Sequence, residues 1–138
     1  MTAREYLEQI PDLDELIKSK VQEIGRLKDE AKRTTGKLDG ERVQSSGSKQ
    51  KMANNVVKYV YIEEVELQEL RERRQNIINT MKTLPYRDYD ILFKVYVLGY
   101  KLDALAERYH RSYSWAKKAH AKALNAMQKL LEERIENE

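Results

Sequence analysis

Residues 101–131 read KLDALAERYHRSYSWAKKAHAKALNAMQKLL, and this stretch decides the fold of the chain. The spacing of its apolar residues predicts a short helix over about 102–109, after which His110-Arg111 forms a tight turn. Ser112 is a typical N-cap residue, because its hydroxyl can accept a hydrogen bond from the first turn of a helix. We therefore expect a second, longer helix over about 113–135.

The small residues of this stretch fall where two closely crossing helices need them. Helices joined by a turn of three or four residues cross at a steep angle, so the first must offer a small side chain at the crossing point. Ala106 does this, and Ala116 and Ala119 supply the small side chains of the second helix. A short helix, a tight turn and a long helix in this order predict a helix-turn-helix, whose second helix lies in the major groove of DNA.

The charge of the same region favours a nucleic-acid partner. Between Arg108 and Leu131 there is no acidic residue, whereas six of these positions are Lys or Arg, in a chain whose net charge is only +3. A single-sign stretch on one helix is typical of a protein that binds a polyanion, and a merely solvated helix face is the alternative interpretation. The residues expected to contact double-stranded DNA are Arg108, Arg111, Ser112, Tyr113, Ser114, Lys117, Lys118 and Lys122.

These residues are expected to divide between two kinds of contact. The side chains of 112–114, with Lys117 and Lys118 one turn further on, are placed to reach base edges and phosphates in the major groove. Arg108 and Lys122 are better placed for phosphates alone. For Trp115 two interpretations stay open, namely stacking on a base or sugar and partly buried packing over the alanine stripe.

The segment before this region predicts another helix. Leu84-Pro85 marks a boundary, because the residue before a proline is biased away from helical backbone. A helix over about 86–98 would then bury aromatic and aliphatic side chains, and Gly99 would end it, as glycine commonly does at a helix C-terminus. The side chains expected inside are Tyr89, Leu92, Phe93 and Tyr96.

The N-terminal half predicts long helices around a break. Thr2 to Glu5 forms a plausible capping box for a first helix, which Pro11 stops or kinks while opening a second helix that ends near Arg33. Residues 34–50, rich in Gly, Ser and Thr, predict a long loop. A further helix is expected over about 49–82. Its apolar seam consists of Ala53, Val56, Val60, Leu67, Leu70, Ile77, Met81 and Leu84.

Two helices with narrow apolar stripes joined by a loop predict an antiparallel helical hairpin. The first stripe is formed by Leu13, Ile17, Ile24, Leu27 and Ala31 and is interrupted at Lys20, whereas Glu63 and Arg74 interrupt the second. Such a hairpin alone buries little core. We therefore expect it to pair with another copy as a homodimer, to pack on the C-terminal domain, or both.

The composition argues against several classes of function. The chain has no cysteine, so neither a disulfide framework nor a thiolate zinc site can form, and two histidines ten residues apart do not predict a metal site. No apolar run approaches the roughly 20 residues that span a bilayer, which indicates a cytoplasmic protein without a membrane contact. We find no nucleophile motif and no phosphate-binding glycine loop, and we expect neither an enzyme nor a cofactor.

Taken together, several short motifs resemble region 4 of bacterial sigma factors over about residues 84–131. The matching residues are Leu84-Pro85, Tyr96-Val97-Leu98-Gly99, Leu105-Ala106, Ser112 and Ala123-Leu124. The chain is most similar to phage-encoded, sigma-region-4-like regulators of the RinA and ArpU type, and 42–48 with Lys51-Met52 resembles a signature of uncharacterised phage proteins of this group. The resemblance implies control of late-gene transcription through promoter DNA in a bacterial host cell, with RNA polymerase as a partner.

The chain departs from the family pattern at three places. His110 stands where the turn usually has a glycine, although histidine enters left-handed backbone less readily. Lys101 replaces a Ser or Thr cap, so that the first helix of the motif lacks a side-chain acceptor at its start. Ala116 and Ala119 replace larger aliphatic residues, which requires a closer approach of the helices or filling by neighbouring aromatic rings.

We thus expect an all-α protein with two domains. Residues 1–83 would form the helical hairpin, with a long loop at 34–50, for dimerisation or a partner contact, and residues 84–138 the DNA-binding helix-turn-helix domain. The leading hypothesis is a phage or prophage transcription regulator that activates late genes with RNA polymerase. The alternatives are a DNA-packaging subunit like the small terminases, in which the DNA module usually comes first in the chain, and a module that binds RNA polymerase through protein contacts alone.

Overall fold

The computed structural model describes residues 1–40 and 46–136, and within 34–40, 46–50, 52 and 53 it describes the backbone alone. These residues form helices and no strand, which confirms the all-α class. A π-helical segment, Phe93–Val97, directly follows the third helix. The five α-helices are α1 (Ala3–Gly40), α2 (Ser46–Met81), α3 (Tyr86–Leu92), α4 (Leu102–Arg108) and α5 (Tyr113–Glu136).

The chain forms two compact units, which divide it differently from the expected boundary at residue 84. Residues 1–14 and 73–138 make up the first unit, and residues 15–72 make up the second. The start of α1 belongs to the first unit because its apolar side chains are buried there and its backbone is held there. Ala3 N–H donates to Gln128 Oε1 at 2.7 Å, and the Tyr6 hydroxyl donates to Thr80 Oγ1 at 3.3 Å.

The core of the first unit is built around α5, on which α3 and α4 both pack. The largest side chains that are fully buried in this core are Leu7, Ile10, Met81, Ile91, Leu92, Leu105 and Met127. Burying one side chain of this size contributes about 1.5–3 kcal/mol, so this set is the main source of the unit's stability.

Pro11 is expected from the sequence to stop or kink a first short helix. The expected stop is wrong, because α1 runs through Pro11 without a break. A proline in a helix interior removes one backbone hydrogen bond and costs about 3 kcal/mol. Leu7, Ile10 and Leu13 flank it on the same helix and are all buried. Their combined burial exceeds that cost, so tertiary packing keeps the helix continuous where local preference would end it.

The loop expected over 34–50 is wrong for 34–40 and 46–50, since α1 extends to Gly40 and α2 begins at Ser46. Thr and Gly each disfavour a helix by up to about 1 kcal/mol. Extending an existing helix is nevertheless far easier than starting one, so a long helix can carry a few poor formers at its end. The remaining residues of this loop, 41–45, lie outside the described residues, as does most of the 42–48 signature.

In the second unit, the polar residues that interrupt the two apolar stripes pair with each other. Lys20 Nζ on α1 lies 2.8 Å from Glu63 Oε2 and 2.7 Å from Glu66 Oε2 on α2. These hydrogen bonds raise the pKa of Lys20, so the ammonium stays charged. Each interruption is thus matched by a polar partner on the other helix, a device that fixes the register of paired helices.

The first unit contains the other interruption of the α2 seam. Arg74 Nε donates to Asp14 Oδ1 on α1 at 2.6 Å, and both side chains are partly exposed. In the same unit Tyr6 of α1 contacts Thr80, so increasing residue numbers on α1 pair with decreasing numbers on α2. The two helices are therefore antiparallel within the first unit.

The helix expected over 86–98 is present, but in its second half the backbone widens to π-helical geometry. Leu98 N–H donates to the Phe93 carbonyl five residues earlier at 3.0 Å, and Tyr100 N–H reaches the Lys94 carbonyl at 2.8 Å. Tyr96 is buried in this segment, as expected, whereas Leu98 directly after it is exposed. Gly99 ends the element with a φ of +77°, as expected for a glycine stop.

Candidate nucleic-acid interface

The end of α4 and the turn after it are fixed by backbone hydrogen bonds. Arg111 N–H donates to the Ala106 carbonyl at 2.9 Å, and His110 N–H donates to the Glu107 carbonyl at 3.1 Å. This pair of bonds is the Schellman arrangement, which requires left-handed backbone at the residue after the cap. His110 occupies that position with a φ of +55°. A histidine therefore occupies the left-handed position of this turn, where glycine is the usual residue.

The start of α5 is capped as predicted. Trp115 N–H donates to Ser112 Oγ at 3.0 Å, and Ala116 N–H donates to the Ser112 carbonyl at 3.1 Å. By contrast, Lys101 makes no side-chain cap bond at the start of α4, in line with its departure from the usual Ser or Thr. Of the two helices α4 and α5, only α5 has a hydrogen bond from the side chain of its N-cap residue.

Small and polar residues set the position of α5 against its neighbours. Ala106 and Ala116 are buried, as the crossing of two helices requires, whereas Ala119 lies partly exposed at the edge of the contact. His120 is buried on the same side, and its Nε2 shares a hydrogen bond of 3.0 Å with the Tyr96 hydroxyl of the π-helical segment. Burial, with the Arg4 charge as a smaller cause, lowers the pKa of His120, so the neutral imidazole is favoured.

All eight predicted contact residues are exposed, and they lie on three consecutive parts of the chain. Arg108 is the last residue of α4, Arg111 and Ser112 form the turn, and the others lie on α5. Within the described part of the chain, no carboxylate lies within salt-bridge distance of the three α5 lysines. The exposed residues are Arg108, Arg111, Ser112, Tyr113, Ser114, Lys117, Lys118 and Lys122.

The three lysines of α5 that belong to the predicted contact set do not share one line along the helix. At 3.6 residues per turn, Lys117 and Lys122 lie about 140° apart around the helix axis, and Lys118 lies between them. Lys117 Nζ is 5.7 Å from the centre of the Tyr113 ring on its own side. Ser114 and Lys118 thus lie in the middle of the exposed face, and Lys117 and Lys122 lie on its two flanks.

An aromatic cluster borders the turn. The rings of Tyr109 and Trp115 have their centres 5.2 Å apart. The guanidinium carbon of Arg87 lies 5.8 Å and that of Arg111 5.9 Å from the Trp115 ring, close enough for cation–π attraction. Trp115 is half-buried, which favours the packing interpretation of this residue over free stacking on a base.

Below the cluster, a network of charged groups ties α3 to α4. The Asp90 carboxylate accepts hydrogen bonds from Lys94 Nζ and from the Tyr109 hydroxyl. Burial opposes the ionisation of Asp90, but these two hydrogen bonds outweigh it and lower the pKa of the carboxyl. Burial and the contact with Asp90 raise the pKa of the Tyr109 phenol. The ring of Tyr109, on which Trp115 packs, is thereby held in a fixed orientation.

Arg87 is a cation of this region that sequence reasoning missed. It lies on α3 and, with Asp88, lines a cleft of about 200 Å³ that Trp115, Lys118 and Lys122 of α5 also line. No local pattern marks it, since it is a single basic residue beside Asp88 and Asp90. Its position near α5 depends on the packing of α3 against that helix, which a linear spacing does not reveal.

The structure adds three further observations. In residues 1–40 and 46–136, no group of three or more His, Asp or Glu side chains is arranged to hold a metal ion. None of the described helices has an apolar stretch that could cross a membrane. No protein-family model, curated protein or solved structure matches the chain.

Proposed function

We propose that this protein is a phage or prophage transcription regulator that binds promoter DNA through α4, the turn and α5, acting as a helix-turn-helix. The observation that carries the proposal is the exposed face of α5, which bears Lys117, Lys118 and Lys122 and no carboxylate partner. Activation of late genes together with RNA polymerase, in the cytoplasm of a bacterial host, is the function that the sigma-region-4 resemblance adds to this face.

The dimensions of the two partners support the proposal. A helix with its side chains is about 10–12 Å across, and the major groove of B-DNA is about 12 Å wide. Residues on the middle of the exposed face would then point to base edges, and residues on its flanks to the phosphates on either side. The capped N-terminus of α5 adds backbone N–H groups and a positive dipole end, which favour a phosphate oxygen.

The proposal is tested by measuring the affinity for a short, labelled DNA duplex over a range of salt concentrations. The wild-type protein should bind at low salt and lose affinity steeply as salt rises, because bound phosphates release counterions. Lys117→Gln and Lys122→Gln, which each remove the charge of one flank, should each lower the slope of log affinity against log salt by about 1. Arg73→Gln, an exposed cation of α2, serves as the matched control and should leave the slope unchanged.

Two results would contradict the proposal. One is an absence of binding to any duplex at low salt, and the other is a slope that the two lysine variants leave at the wild-type value. If the wild-type protein does bind duplex DNA, selection of bound fragments from the host and phage genomes would identify the promoter sites.

The antiparallel part of α1 and α2 is proposed to form the hairpin through which the protein dimerises or contacts its partner. Mass in solution distinguishes this arrangement from the packaging alternative, since a ring of eight or more subunits would favour a small-terminase-like subunit. Capture of RNA polymerase that persists after nuclease treatment would instead favour the protein-interaction module.

A further inference from the structure

The cleft between α3 and α5 has the chemistry of an anion site. Three cationic side chains line it, Arg87 from α3 and Lys118 and Lys122 from α5, against the single carboxylate of Asp88. Within the described residues none of the three cations has a salt-bridge partner. Their mutual repulsion is left uncompensated in the free protein, so an anion bound among them gains attraction from all three.

Arg87 is held in place before any ligand binds. Its guanidinium lies 6.0 Å from the centre of the Tyr109 ring and 5.8 Å from that of Trp115. Tyr109 is fixed in turn by its hydrogen bond to Asp90. Arginine presents several N–H donors in a rigid plane that suits a phosphate, and an arginine already ordered loses little conformational freedom on binding.

We infer that this cleft binds a backbone phosphate of the DNA strand on the Lys122 flank of α5, with Arg87 as a contact contributed from outside the helix-turn-helix. The inference rests on the proposed function, because it assumes that α5 enters the groove. Lys117, on the other flank, would then face the opposite strand. The cleft sets the rotation of α5 about its own axis, since only one orientation brings a phosphate between Arg87 and Lys122.

The test compares three variants in the salt titration of duplex binding. Arg87→Gln should lower the slope by about 1, whereas Arg87→Lys should retain the wild-type slope because the charge remains. Asp88→Asn should increase the affinity several-fold, since it removes the one carboxylate that repels the phosphate. A gain of affinity cannot result from damage to the fold. Arg73→Gln is again the control for loss of one positive charge.

The outcomes separate this inference from the proposed function. If the wild type binds duplex but Arg87→Gln keeps the slope and Asp88→Asn gains nothing, the cleft site is refuted and the function stands. If the wild type binds no duplex, the function fails, and titration with inorganic phosphate alone decides the cleft. A shift of the Trp115 indole N–H resonance that Arg87→Gln abolishes would support an anion site for free phosphate, and no shift would refute the site altogether.

A second, independent observation concerns α2 in the unit 15–72. Val57, Tyr61, Ile62 and Val65 are all large apolar side chains with between 42 and 69% of their surface exposed. The spacing of Val57, Tyr61 and Val65 places them on one side of the helix, away from the side on which Leu67 is buried. Contiguous apolar surface of this kind is typical of an interaction site.

Charges on the same side of α2 indicate what the partner is. Lys51 lies before the apolar patch, and Glu69 and Glu72 lie after it, all exposed. Two copies of α2 packed antiparallel about Tyr61 would place Val57 opposite Val65 and Lys51 near Glu69 and Glu72 of the other copy. A surface that is complementary to itself in reverse direction is what a two-fold symmetric dimer requires. The geometry therefore points to a second copy of this chain as the partner, docked antiparallel on this face.

Sedimentation measurements test this arrangement. Tyr61→Glu should convert the dimer to a monomer, whereas Tyr59→Glu, an equally exposed tyrosine on another side of α2, should not. Lys51→Glu should weaken the dimer at low salt, and Lys51→Glu combined with Glu69→Lys should restore it. A wild-type monomer at high protein concentration would refute the dimer, and a double variant no better than Lys51→Glu would refute the antiparallel register.

Discussion

The backbone at His110 allows a sharp test of the turn between α4 and α5. His110 has a φ of +55°, in the left-handed region that an L-residue enters at a cost of about 1–2 kcal/mol. Glycine removes this strain but gives the unfolded chain more freedom, which costs about 0.5–1 kcal/mol. His110→Gly should therefore stabilise the folded unit by about 0.5–1 kcal/mol.

The stability is best followed by urea unfolding with tryptophan fluorescence as the signal. Trp115 is the chain's single tryptophan and packs on Tyr109, next to the turn, so its emission reports on this unit. For an m-value of about 1–3 kcal/mol per molar urea, the midpoint should rise by about 0.2–1 M without a change of slope. The opposite result is expected for Ala121→Gly, an exposed position inside α5, where glycine should destabilise by about 1 kcal/mol.

His110→Ala completes the comparison. Alanine keeps the Cβ that strains left-handed backbone, so this variant should not gain stability, and glycine should exceed alanine at this position by about 1 kcal/mol. If His110→Gly is no more stable than His110→Ala, or falls like Ala121→Gly, the turn does not hold left-handed backbone and the Schellman geometry is refuted.

Three further outcomes follow from the described contacts. Ser112→Ala should lower the free energy of unfolding by about 1 kcal/mol through loss of the N-cap bond, whereas Ser114→Ala should change it by less than about 0.5 kcal/mol in the same urea assay. Because burial lowers the pKa of His120 below 6.5, the unfolded chain binds a proton first, so the free energy of unfolding should fall as the pH drops below about 6.5, and His120→Gln should show a smaller fall over that range. A double-mutant cycle of Lys20→Ala and Glu63→Ala should give a coupling of about 0.5 kcal/mol that shrinks with added salt, and a coupling of zero at low salt would contradict the pairing.

The features that could be predicted from sequence are those encoded by side chains close by in the chain. Ser112 caps α5 because its hydroxyl accepts a hydrogen bond from the N–H group three residues later. Gly99 ends the π-helical segment because glycine, unlike its neighbours, enters left-handed backbone freely. The exposure of the residues from Arg108 to Lys122 in the contact set was likewise predictable. When a regular apolar stripe of a helix faces the core, the charged side chains of that helix lie on the solvent side.

The elements that were mispredicted are those in which packing opposes local preference. Pro11 favours a helix end, yet buried leucine and isoleucine on both sides keep α1 continuous. The widening of the backbone at Phe93–Val97 accompanies a contact of Tyr96 with His120, 24 residues away. Arg87 was missed for a similar reason, because only the packing of α3 against α5 brings it to the cleft. Such contacts cannot be inferred from spacing within a single segment.

The hydrogen bond between Ala3 and Gln128 joins residues 125 positions apart. The first turns of α1 are thus made well before the helix on which they pack. The unit with the candidate interface cannot be complete until α5 has been translated, and the surface proposed to bind DNA becomes available only after that.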